Sequence, residues 1–90
     1  MAADQMQLIV VTPQRQVLDT AARWVELPAE SGQMRALPEH APTLGVLGEG
    51  SVRFAPVTGG GEQAFTVQGG FFEVLGDKVT LLADSSSAGR

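Results

Sequence analysis

Apolar residues in this chain recur in short runs that alternate with polar ones, and turn residues stand between the runs. No window of about 11 residues carries an apolar stripe at the 3.6-residue period of a helix. The runs are Met6 to Val11, Arg15 to Thr20, Ala22 to Leu27, Gln33 to Leu37, Thr43 to Leu47, Ser51 to Val57, Glu62 to Gln68, Phe71 to Leu75 and Lys78 to Ala83. Thr12-Pro13-Gln14, Ala29-Glu30-Ser31-Gly32, Gly48-Glu49-Gly50, Gly59-Gly60-Gly61 and Gly76-Asp77 divide them. Pro38 and Pro42 forbid a helix between Leu37 and Thr43 and favour an extended loop. About nine strands with turn signals every 8–12 residues or so are the pattern of a β-sandwich or barrel. The chain is therefore expected to be all-β. Its 90 residues hold one domain. Residues 1–84 are assigned to that domain, and 85–90, Ser-Ser-Ser-Ala-Gly-Arg, to a disordered tail with nothing to bury.

Side chains alternate across a strand, so each run predicts its inward face. Val79, Leu81 and Ala83 share one face, with Thr80 and Leu82 on the other. Phe72 and Val74 oppose Glu73; Val52 and Phe54 oppose Arg53. Val25 and Leu27 share a face with Arg23, which puts Trp24 on the other side with Glu26. Leu8 and Val10 cannot share a face with Ile9 and Val11. Apolar surface is left over whichever face is core. Such a surplus marks a partner surface or a strand covered on both sides.

Charge and composition exclude several classes of function. A net charge of -4 speaks against nucleic acid, whose phosphates demand a surplus of Lys and Arg. With 0 cysteines there is no disulfide, thiolate nucleophile or zinc-thiolate site. Leu8-Ile9-Val10-Val11 is the longest apolar run and is far too short to span a bilayer, so no direct membrane insertion is expected. Met1-Ala2-Ala3-Asp4-Gln5 lacks the basic start of a signal peptide, which points to the cytoplasm. His40 is the single histidine, no G-x-S-x-G elbow is present, and most serines cluster near the C-terminus. Gly59-Gly60-Gly61-Glu62 lacks the G-K-[ST] of a phosphate loop, and Gly45, Gly48 and Gly50 have the wrong spacing for a dinucleotide fingerprint. The acids are scattered singly, without a calcium-loop pattern. No catalytic residue, metal or cofactor is assigned. The residues alone support a small β-sandwich binding module, with an adhesion or carbohydrate-binding domain and a small hydrolase as alternatives.

Four segments together resemble the epsilon subunit of bacterial F-type ATP synthases. They are Leu8-Ile9-Val10-Val11-Thr12-Pro13; Gly32 through Leu44, where Gly32, Pro38, His40, Ala41, Pro42 and Leu44 match; Gly50-Ser51-Val52-Arg53; and Gly69-Gly70-Phe71-Phe72-Glu73-Val74 with Val79-Thr80-Leu81-Leu82-Ala83-Asp84. Arg35 and Glu39 depart from the pattern, standing where that family usually has glycines. The resemblance implies a flattened sandwich of two roughly five-stranded sheets. It also implies a non-catalytic rotor subunit of the central stalk that binds the gamma subunit and the polar loops of the c-ring. Such a subunit couples proton-driven rotation to ATP synthesis from the cytoplasmic face of the inner membrane, as a peripheral protein. By matching positions, Glu30, Ser31, Gly32 and Gln33 would form the turn facing the ring, and His40, Ala41, Pro42 and Leu44 would lie near gamma. The surplus apolar residues Ile9, Val11 and Trp24 are candidates for the same gamma contact. The family's C-terminal helical hairpin does not follow Arg90, so neither ATP binding nor inhibition of hydrolysis is expected of this chain.

Overall fold

The structure, a computed structural model, describes residues 5–88. Its strands are β1 (Met6–Val11), β2 (Gln16–Ala29), β3 (Gly32–Ala36), β4 (Thr43–Val46), β5 (Glu49–Pro56), β6 (Gln63–Leu75) and β7 (Lys78–Ser86). The runs separated in the sequence at Ala21 and at Gly69-Gly70 turn out to be continuous. They form β2 and β6, two long strands that each bend and serve two sheets.

The first half of β2 pairs with β1, from Val11 opposite Gln16 to Met6 opposite Ala22. Between Ala22 and Val25 the register shifts, and the second half pairs with β5 through Val25 opposite Phe54 and Glu26 opposite Arg53. A bulge inserts residues, bends the strand and resets which side chains face in. Arg23 is therefore exposed although simple alternation puts it with Val25, which is fully buried. In β6, Gln63 to Gln68 pairs with β5, whereas Phe71 to Val74 pairs with β4. Gly69 and Gly70, both at positive φ, make that change of direction.

Two five-stranded sheets result. The first runs β2 (first half), β1, β7, β6 (second half), β4, and its β1–β7 pair is parallel. The second runs β3, β2 (second half), β5, β6 (first half) and the end of β7, where Ser86 pairs with Val67. The tail assignment is corrected at this point. Ser85 and Ser86 belong to β7, Ser87 N–H donates to Thr66 O at 3.0 Å, and Ala88 is 9% exposed against the core. Serine hydroxyls carry no apolar signal, yet here they satisfy the partner strand: Ser86 Oγ donates to Thr66 O at 3.0 Å and Thr66 N–H to Ser87 Oγ at 2.9 Å. Gly89 and Arg90 lie outside the described residues.

One core lies between the sheets. Leu8 and Val10 meet Val25, Leu27, Val52, Val67, Val74, Val79 and Leu81, and Phe54 packs edge-to-face on Phe65 at 6.1 Å. Each fully buried Val, Leu or Phe contributes roughly 1.5–3 kcal/mol. Alternation selects Val52, Phe54, Phe72, Val74, Val79 and Leu81 among these, whereas in β1 it leaves two faces open, of which the structure buries Leu8 and Val10.

Candidate functional site

The outer face of the first sheet is apolar across four strands. Val46 lies opposite Phe71, Phe71 opposite Leu82, and Leu82 beside Val11. Their side chains alternate with buried residues, so they point away from the core. Phe71 is 61% exposed, Leu82 50% and Val46 42%. At about 4.8 Å between strands the row runs roughly 14 Å. Leu44, at 76%, and half-buried Ile9 flank it on the same face. A shallow groove lined by Val11, Pro13, Phe71 and Leu82 lies along one end. Contiguous exposed apolar side chains on a small domain mark a protein-docking surface.

The second sheet presents a charged face instead. Glu26 of β2 accepts from Arg53 Nη2 of β5 at 2.7 Å and lies 3.7 Å from Arg35 Nη2 of β3. Arg53 also reaches Glu62 at 3.2 Å. Trp24 lies on this face, with the Arg35 guanidinium carbon 4.3 Å from its ring centroid.

The residues singled out in the sequence therefore fall into four groups. Ile9, Val11 and Leu44 share the first sheet's outer face, while Trp24 sits on the opposite outer face beneath Arg35. Glu30 and Ser31 make the β2–β3 turn and Gly32 and Gln33 begin β3, all four exposed. Glu30 N–H donates to Val46 O at 2.8 Å, so this turn is tied to the end of β4 beside the apolar row. His40, Ala41 and Pro42 lie in the loop before β4. His40 N–H donates to Leu37 O at 3.0 Å, and His40 Nδ1 donates to Ala41 O at 2.7 Å. Glu39 takes φ 67°, the conformation that favours glycine, whereas Arg35 is an ordinary strand residue. The two departures thus differ in kind: Glu39 holds a backbone conformation that favours glycine, and Arg35 does not.

The sequence reading missed Phe71, Val46 and Leu75 as exposed apolar residues. It set Leu82 on an outward face without its neighbours. The signal was present in the alternation of β6 and β7, but only the register joins it into one surface. Among the described residues no three His, Cys, Asp or Glu gather to hold a metal ion, and no helix is long and apolar enough to cross a membrane.

The family described as "ATP synthase, Delta/Epsilon chain, beta-sandwich domain" matches residues 5–89. This chain belongs to that family. The ATP synthase epsilon chain of Solibacter usitatus is 42% identical over 81 residues, covering 90% of this chain and 59% of that protein. That of Rhodobacter capsulatus is 43% identical over 82 residues, 91% of this chain and 61% of that protein. This delta/epsilon-type sandwich thus spans about three-fifths of the length of those curated relatives. Its fold matches a chain of the Euglena gracilis mitochondrial ATP synthase OSCP/F1/c-ring structure with a TM-score of 0.88 at 18% identity, over 98% of this chain and 56% of that one. A chain of the Tetrahymena thermophila central stalk/c-ring structure matches with a TM-score of 0.77 at 13% identity, over 98% of this chain and 69% of that one. The family match displaces the reading as an unrelated adhesion or carbohydrate-binding module.

Proposed function

We propose that this delta/epsilon-type sandwich is part of a central-stalk rotor subunit of an F-type ATP synthase. It has no catalytic activity of its own. It binds the gamma subunit and the polar loops of the c-ring, and so couples proton-driven ring rotation to ATP synthesis. Its place is the cytoplasmic face of the inner membrane, held peripherally through the complex. Family membership supports the role, and the apolar row Val46–Phe71–Leu82–Val11 is the observation that carries it. A coupling part must be gripped over a broad area, and this face offers one.

Gamma would cover the first sheet's outer face, including Ile9, Val11 and Leu44, with His40, Ala41 and Pro42 at its border. Trp24 is left out of that contact, because a partner covering one outer face does not reach the other. The Glu30–Gln33 turn would meet the ring. The sandwich itself would take no cofactor, metal, nucleic acid or ATP; calorimetry with ATP that showed binding would count against this part of the reading.

The decisive experiment mixes the chain with a cognate gamma subunit in gel filtration and titration calorimetry. A stoichiometric complex is expected. Phe71→Glu should weaken it at least about 30-fold, roughly 2 kcal/mol, as for a central apolar anchor. Trp24→Ala should change it by less than about 0.5 kcal/mol. Absence of a complex at micromolar concentration would sink the proposal.

A further inference from the structure

β3 is an edge strand of five residues that pairs with β2. An edge hairpin held on one side is where local opening is easiest. Side chains on the outer face of the second sheet tie this one down. Arg35 lies opposite Glu26 in the β2–β3 register, and its guanidinium stacks on Trp24 at 4.3 Å. Glu26 is shared: one oxygen stands 3.7 Å from Arg35, and the other takes Arg53 Nε and Nη2 at 3.0 and 2.7 Å. Arg53 then reaches Glu62, next to the start of β6, at 3.2 Å. The connected strap Trp24–Arg35–Glu26–Arg53–Glu62 crosses β3, β2 and β5.

We propose that Arg35 is a positioning residue that clamps the β2–β3 hairpin to the second sheet, so that the Glu30–Gln33 tip is presented as a rigid element. Its planar cation does two things at once, stacking on an indole and facing a carboxylate, which a Lys ammonium does poorly. The far end of the same hairpin is anchored separately, by Glu30 N–H on Val46 O at 2.8 Å and the Ala29–Leu47 bridge. The hairpin is thus held at tip and base, as an element that bears load must be. That the rigid tip meets c-ring loops rests on the function proposed above; the clamp does not.

Trp24 is the single tryptophan, so its fluorescence reports the stack directly. The test compares Arg35→Met, which keeps an apolar stem, and Arg35→Lys, which keeps the charge, with the parent chain. The readouts are hydrogen exchange and acrylamide quenching of Trp24. In Arg35→Met, amide exchange across Gln33–Ala36 should accelerate about 5–30-fold while β1 and β7 amides change less than about twofold. Quenching of Trp24 should rise, and Arg35→Lys should recover part of the β3 protection but little of the quenching. Unchanged exchange in β3, or equal acceleration in β1 and β7, overturns the clamp. Retention of the Arg35→Met stalk on c-rings at parental affinity, with β3 exchange accelerated, would leave the clamp standing and remove the c-ring reading of the tip.

Discussion

At Gly70 the backbone runs at φ 117°, and a β-carbon there would overlap the carbonyl oxygen of Leu82 on the neighbouring strand. Conformation and space both demand glycine, so Gly70→Ala should lower stability by about 3 kcal/mol or more. A fall in the urea midpoint at constant slope would show it. Gly45 answers to space alone: its β-carbon would stand 2.5 Å from the ring of Phe72, the buried residue directly opposite. Glu39 is the reverse case, a side chain where φ is 67°. The left-handed conformation costs a non-glycine residue about 1–2 kcal/mol, and the greater freedom of glycine in the unfolded chain offsets about 0.4–1 of that. Glu39→Gly relieves that strain but also gives up the interaction its side chain makes, so it is expected to stabilise by less than about 1 kcal/mol, a rise in Tm of at most about 8 °C by calorimetry. A fall in Tm would show that contacts of the Glu39 side chain outweigh the strain. The sequence marks both departures from the glycine pattern equally; only the backbone angles distinguish Arg35, which needs no glycine, from Glu39, which carries the strain.

At the level of elements, the strands were legible and their continuity was not. Alternation located every strand, because facing is a local property with period two. The bulge after Ala22 shifts that phase, which reads in one dimension as a strand boundary. Gly69-Gly70 falls between two apolar runs in the sequence, although their partner β7 keeps its pairing on both sides of them. The end of β7 was missed for a different reason. Its value lies in hydroxyl-to-backbone bonds and one buried alanine, neither of which hydrophobic patterning records. Ending the chain at Asp84 would remove the Ser86–Val67 pairing, strip Thr66 of its partners and uncover core beside Ala88. Thermal denaturation should report a loss of about 1–3 kcal/mol. A loss below about 0.5 kcal/mol would return these residues to a dispensable tail.

The whole molecule has two unlike outer faces, one apolar across four strands and one bridged by ions. Phe71→Glu and Leu82→Asp change outward side chains, so folding stability should shift by less than about 0.5 kcal/mol, while the gamma binding proposed above should weaken at least about 30-fold. A variant that unfolds would show that Phe71 or Leu82 belongs to the core after all, and circular dichroism with calorimetry separates the outcomes. Composition and local pattern alone were enough to establish an all-β domain, its inward side chains and a surplus of apolar ones. They also established the short motifs that tie the chain to its family. Where that surplus gathers was decided by pairing between distant strands: register sets Val11, Val46, Phe71 and Leu82 side by side and sends Trp24 to the far sheet. Facing depends on neighbours two residues away, but a surface depends on which strands meet, and that is settled only when the long bent strands close both sheets around one core.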